Sequence, residues 1–248
     1  MPRIATALAA VTILVMTTAA CGDSDEDGSV LVLAASSLTD AFTAMEAEFE
    51  AAHDVDVELS FGGSSTLRVQ VEQGAPAAVV AFADTAPMDA LVAGGFAEAP
   101  ETFATNSMTL VIPADNPGDV SGLADLTDPG LLVGVCAPQV PCGRYAQDVL
   151  TQAGVAASVD TEEPDVRSLA AKIAAGELDA GLIYTTDVDA FPGELTAIEL
   201  PDGIDVRADY PIAIVDGTSA RSDAELFVDF VLSPAGQAIL TDAGFGEV

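Results

Sequence analysis

Cations are scarce in this chain: its 248 residues hold 7 Lys and Arg against 40 Asp and Glu, a formal net charge of −33. Nucleic acid needs Lys and Arg clustered along its phosphates, so that class of partner is excluded. A small anion is not, because screening over roughly 8 Å at physiological salt keeps each repulsion local. The chain has one histidine, His53, and one lysine, Lys172, and neither stands near a serine in any motif. His53 reads as a surface turn residue and Lys172 as a solvated helix charge. Hydroxyl nucleophiles therefore lack a base. There is no Gly-x-Gly-x-x-Gly, P-loop, His-Glu-x-x-His or nucleophile elbow, which disfavours a hydrolase or other enzyme. After residue 20 no apolar run is long enough to cross a bilayer.

The first twenty residues have the form of an export signal. Arg3 supplies the positive start, an apolar stretch runs from Ile4 to Met16, and Thr18-Ala19-Ala20 precede Cys21. A cysteine directly after small residues resembles the bacterial lipoprotein signal, with Cys21 acylated and anchoring the mature chain to the cell membrane. Thr18 is less typical of that pattern, and an ordinary secretory signal is the competing reading. Residues 21–28 are polar and acidic, a flexible tether. Their Asp23, Asp25, Asp27 and Gly28 imitate the opening of a calcium loop, but its twelfth position falls on Ala34, where a bidentate Glu is needed. No calcium site is expected.

From Ser29 onward the pattern alternates between strand and helix, and the 50% hydrophobic content is enough for a full core. Val30 to Ala35 reads as a buried strand, and Leu38, Phe42, Met45 and Phe49 recur at helical spacing up to His53. Val55 to Phe61 alternates as a strand, a helix runs from Ser65 to Gln73, a third strand spans Ala78 to Ala83, and a short helix covers Met88 to Ala93. A strand at Met108 to Ile112 ends in the turn Asp115-Asn116-Pro117-Gly118. A second alternating unit follows: strand Leu131 to Val135, helix Tyr145 to Ala153, a strand near Val159, helix Val166 to Ala175 and strand Ala180 to Tyr184. A strand from Tyr210 to Val215 and two closing helices complete the chain. Two α/β units facing a cleft make a hinged trap, with ligand beyond the carboxyl ends of the strands.

Two junctions stand out. Leu33-Ala34-Ala35-Ser36-Ser37-Leu38-Thr39-Asp40 and Ser60-Phe61-Gly62-Gly63-Ser64-Ser65-Thr66-Leu67 each put small hydroxyl residues where a strand turns into a helix. A helix start offers unpaired N–H groups and the positive end of a dipole, so it holds an anion without a cationic side chain. Ser37 and Ser64 are expected as N-caps.

These junctions, followed by Glu72-Gln73-Gly74-Ala75-Pro76-Ala77, Val140-Pro141-Cys142-Gly143-Arg144-Tyr145-Ala146, Asp165-Val166-Arg167, Gly181-Leu182-Ile183-Tyr184 and Tyr210-Pro211-Ile212-Ala213, resemble the molybdate-binding proteins of ABC transporters. The resemblance covers Ser29 to Val248. It implies a two-lobed α/β fold of the type II periplasmic-binding kind, each lobe a mixed, mainly parallel sheet flanked by helices, with hinge strands between. Lobe I would comprise 29–108 with 213–248, and lobe II 109–212. It further implies a monomer without a cofactor that takes up molybdate or tungstate outside the cytoplasm and passes it to a permease with its ATPase. Another oxyanion, such as sulfate or phosphate, is the alternative cargo.

In that family the oxyanion is held by uncharged donors. The resemblance puts them at the hydroxyls of Ser37 and Ser64, the backbone amides of Cys142 and Val166, and the hydroxyl of Tyr184, with no direct cation ligand. Fixed donors spaced for long metal–oxygen bonds leave sulfate under-contacted, and offer no acceptor to a protonated phosphate. Two residues depart from the family pattern. Cys142 replaces a small apolar residue, and with Cys136 six positions earlier an exported chain has the makings of a disulfide. Two buried thiols or an incomplete metal site are the competing readings. Arg144 either approaches the anion or solvates its loop, and is left out of the site.

Overall fold

Val30–Ala35, an unbroken apolar run, forms the nearly fully buried strand β1. The computed structural model describes residues 29–248; the expected export signal, Cys21 and the expected tether lie outside the described residues. From β1 the chain enters a 3₁₀ turn, Ser36–Leu38, which continues into α1 (Thr39–Ala52). Ala41, Phe42, Met45 and Phe49 give α1 its buried stripe at spacings of three and four. His53 ends this helix and stacks on Phe49 at 4.6 Å. Strand β2 (Val57–Gly62), helix α2 (Ser64–Glu72), strand β3 (Val79–Ala81) and helix α3 (Thr85–Gly94) follow. Gly95 closes α3 in the left-handed region, φ 72°, which a residue without Cβ adopts freely.

Strand β4 (Ala97–Pro113) is 17 residues long, far longer than the Met108 to Ile112 segment expected from the sequence. Its first half carries Pro100 and several polar residues, and the pairing absorbs them through register shifts between Glu98 and Glu101 and between Thr102 and Ala104. The second unit runs β5 (Val133–Cys136), α4 (Pro141–Ala153), β6 (Val159–Glu163), α5 (Val166–Ala174), β7 (Ala180–Tyr184), the one-turn α6 (Thr185–Val188) and β8 (Leu195–Ile198). Then come β9 (Arg207–Val215), α7 (Arg221–Leu232) and α8 (Pro234–Asp242). Helix α4 starts four residues before the expected Tyr145, because Pro141 at its first position has no N–H to lose and a φ already suited to the helix. Strand β8 was not expected; it is a short strand off the main sheet path, pairing only with β4.

The strands run β2-β1-β3-β9-β4-β7-β5-β6, with β8 alongside β4. Parallel pairs sit at both ends, β2-β1-β3 and β7-β5-β6, whereas β9 and β4 pair antiparallel with their neighbours. The first half of β4 lies in one sheet and the second half in the other, so this strand and the return through β9 join them. Phe42, Phe103 and Phe227 pack with ring centroids 5.8 and 6.0 Å from Phe42, and Phe49 meets Phe227 at 5.3 Å. Each such ring contributes roughly 1.5–3 kcal/mol by leaving water. Leu33, Leu67, Val80, Phe82, Met88 and Leu91 form a second cluster. No helix among the described residues is long and apolar enough to cross a membrane.

Candidate functional site

The carboxyl ends of β1, β2 and β7, together with the starts of α4 and α5, converge on one small cavity. Ser37, Ser64, Cys142, Val166 and Tyr184 all line it. Residues separated by up to about 150 positions in the chain thus reach a common space. Cys142 is the second residue of α4 and Val166 the first of α5, so neither amide has an intrahelical acceptor. The dipoles of both helices point their positive ends inward.

Neither serine is the N-cap expected of it. Ser37 lies inside the 3₁₀ turn, whose cap is Ala35, and Ser64 is the first residue of α2, capped by Gly63. Their hydroxyls are instead set by longer-range partners. Ser64 Oγ accepts from the Ala83 amide at 3.1 Å, which leaves its own proton free to be donated elsewhere. Ser37 Oγ lies 3.0 Å from Tyr210 Oη, and Tyr210 Oη accepts from Asn106 Nδ2 at 3.3 Å. With the tyrosine proton on Ser37, the serine proton is likewise free. Asn106 is fixed in turn by donating to Thr186 Oγ1 at 2.9 Å and accepting from Thr185 Oγ1 at 2.9 Å.

Tyr184 ends β7, fully buried, and its hydroxyl has no hydrogen-bond partner in the protein. Such a group costs roughly 1–3 kcal/mol when left unsatisfied. Burial raises its pKa well above the ordinary value of 10, so it is a donor, not an anion. The chain's three tyrosines adjoin one another here: Tyr184 lies 6.3 Å from Tyr145 and 5.9 Å from Tyr210 between ring centroids.

No cationic side chain lines the cavity. Arg144 Nε donates to Asp84 Oδ2 at 2.8 Å, and Arg144 Nη1 to the Gln139 carbonyl at 2.9 Å. Arg167 Nε donates to Asp187 Oδ1 at 3.0 Å and its Nη2 to Asp40 Oδ2 at 2.5 Å. The one carboxylate on the lining, Asp165, is turned into its own helix, where it accepts from the amide and hydroxyl of Ser168 at 2.9 and 3.0 Å. The site is therefore a cage of neutral donors. Lys172, expected as a solvated charge, donates instead to the buried Glu163 at 2.6 Å. Cys136 and Cys142 are joined as a disulfide with Cα atoms 5.6 Å apart, closing a loop directly behind the Cys142 amide. Among the described residues no group of three or more His, Cys, Asp or Glu could hold a metal ion. A wider groove outside, lined in part by Arg68 and Arg144, shares Val140 with the cavity but lacks the five candidate donors.

Residues 30–246 match the family of bacterial extracellular solute-binding proteins. The molybdate-binding protein ModA of Mycobacterium tuberculosis is 40% identical over 221 residues, 88% of this chain and 85% of that protein. The chain belongs to the ModA-type solute-binding family. ModA of Escherichia coli is 30% identical over 234 residues, covering 89% and 90% of the two chains. The fold agrees: the periplasmic molybdate-binding protein of Azotobacter vinelandii matches with a TM-score of 0.77 at 23% identity, over 87% of this chain and 98% of that one. ModA-type proteins are extracytoplasmic transport proteins, and the cavity lies where such a fold has its strand ends.

Sequence reasoning missed Tyr210, Asn106 and the Ala83 amide as partners of the two serines. Tyr210 opens a motif already noted, Tyr210-Pro211-Ile212-Ala213, and a tyrosine in a strand this apolar is the signal that points to it. Asn106 sits in the half of β4 that was not recognised as strand.

Proposed function

We propose that this protein captures molybdate, and tungstate alike, between two lobes outside the cytoplasm and delivers it to an ABC permease and its ATPase. The lobes are 29–108 with 213–248 and 109–212, hinged through β4 and β9. Ser37 and Ser64 donate their hydroxyl protons to the oxyanion, Cys142 and Val166 their backbone amides, and Tyr184 its phenol. The protein works as a monomer held at the cell membrane through lipid on Cys21.

The observation that carries this reading is the Tyr184 hydroxyl, buried without a partner in a cavity that also offers the hydroxyls of Ser37 and Ser64 and the amides of Cys142 and Val166. A dianion supplies the acceptors that all of them lack. Hydrogen bonds to a charged partner are worth about 1.5–3 kcal/mol each, enough in sum for tight binding without a cation. Because buried partners fix the two serines and helix starts fix the two amides, the cage is sized for one class of tetrahedral oxide. Membership of the ModA-type family supports molybdate over other oxyanions.

Isothermal titration calorimetry with molybdate, tungstate, sulfate and phosphate tests this. Tight one-to-one binding of the first two with weak binding of the others is expected. Preference for sulfate or phosphate contradicts it.

A further inference from the structure

We infer that two arginine–aspartate pairs crossing the cleft, Arg144–Asp84 and Arg167–Asp40, act as latches that hold the closed form and set how long the anion is retained, although none of the four touches it. The inference rests on the reading of the cavity as an interlobe anion site.

The paired charges stand beside the cage donors in the chain. Arg144 follows Cys142 by two residues, and Asp84 directly follows Ala83, whose amide fixes Ser64 Oγ at 3.1 Å. Arg167 directly follows Val166, and Asp40 stands three residues after Ser37. Each pair therefore ties a donor segment of one sheet to a donor segment of the other. Both guanidinium groups come from the second unit, on α4 and α5, and both carboxylates from the first, at the starts of α3 and α1. Bringing the donors together and making the ion pairs are thus one movement.

The conformation seen is the closed one. At the cavity rim Gly63 packs so tightly on the opposite segment that a Cβ there would lie 2.6 Å from the Pro164 carbonyl oxygen. Ser65 Oγ reaches across to the Gln139 carbonyl at 2.6 Å, the same carbonyl that accepts from Arg144. Separating the sheets would break these contacts and both ion pairs, but would leave Arg167 on Asp187, which belongs to its own unit.

The two latches are not equal. The Asp84 side chain is 10% exposed and that of Asp40 is 64% exposed. Water and salt screen the second pair far more than the first. Asp84 also uses its oxygens separately: Oδ1 caps α3 by accepting from the Ala86 amide at 3.0 Å, whereas Oδ2 meets Arg144. Asparagine caps a helix as well as aspartate does, so Asp84→Asn removes the latch and keeps the cap. Arg144→Gln removes the same latch from the other side.

The test is dissociation of radiolabelled molybdate chased with unlabelled molybdate, together with melting curves with and without ligand. For D84N and R144Q the off-rate should rise roughly tenfold with little change in on-rate. D40N should raise it about twofold. The D84N/R144Q double variant should release no faster than either single variant. Melting of the ligand-free variants should match the wild type, while the upward shift produced by molybdate shrinks. A merely structural pair would do the reverse, lowering the ligand-free melting temperature and sparing the shift, and would overturn the inference, as would additive single effects or unchanged off-rates. A wild-type protein that binds no molybdate would overturn the cavity reading and this inference with it, whereas wild-type binding with unaltered D84N and R144Q kinetics overturns the latch alone.

Discussion

The hydroxyls of Ser37 and Tyr210 lie 3.0 Å apart, joining the start of α1 to the strand that returns from the second sheet. Tyr210 is fully buried, and burial is the chief cause that holds its pKa above the ordinary 10, so it stays protonated and able to donate to Ser37. Tyr210→Phe should therefore weaken molybdate binding about fivefold, the effect of one net hydrogen bond, by leaving the serine proton unaimed. Ser37→Ala should weaken it more. Equal affinity of Tyr210→Phe and wild type in calorimetry would contradict this relay.

Tyr184→Phe should separate stability from function. Its hydroxyl has no partner in the protein, so removing it should leave ligand-free stability unchanged or raise it by up to about 1 kcal/mol. Binding should fall at least tenfold, since a hydrogen bond to a charged ligand is lost. A variant that is less stable without ligand yet binds normally would show that the tyrosine serves packing instead.

Reduction should loosen the loop behind the Cys142 amide. The Cys136–Cys142 bridge closes so short a loop that chain entropy assigns it about 2 kcal/mol. The Cys136→Ser/Cys142→Ser double variant should melt at a lower temperature and bind molybdate more weakly, because one cage donor is less firmly placed. Wild type in dithiothreitol should follow it. Thiol titration finding both cysteines free in the denatured, unreduced protein would remove the premise.

Acidity should act through Asp187. Its carboxyl is 0% exposed, one oxygen has no partner, and burial pushes its pKa up to about 7 from the ordinary 3.8, with Arg167 pulling the other way. Between those two values the folded chain holds a proton that the unfolded chain has lost. The stability from this group is complete below 3.8 and is lost as pH rises through 7, at up to about 1.4 kcal/mol per pH unit. Melts of wild type and Asp187→Asn across pH 4 to 8 should show the wild type losing ground to the variant as pH rises. A constant difference would refute this.

Much of the fold was legible because burial and period agree in the parallel strands. Val30–Ala35 and Ala180–Tyr184 are buried apolar runs, and α1 shows its stripe at Phe42, Met45 and Phe49. The first half of β4 was not legible, since Pro100 and the shifted registers around it erase a two-residue period that only pairing with β9 restores. At the site, the residues at 37, 64, 142, 166 and 184 do line one cavity, but the N-cap reading of the serines did not hold. What orients them is a backbone amide 19 residues away and a tyrosine 173 residues away, and no local pattern encodes such distances. The ion pairs were equally hidden. With 40 acidic side chains for 7 basic ones, partner choice is decided by the tertiary fold.

The central claim is that neutral donors from both sheets enclose a tetrahedral oxyanion, and a crystal grown with tungstate tests it most directly, because tungsten is located by its anomalous scattering. The account predicts one strong peak in the cavity, within hydrogen-bond reach of Ser37 Oγ, Ser64 Oγ, Tyr184 Oη and the amides of Cys142 and Val166. A peak on the arginines of the outer groove, or none between the sheets, would contradict it.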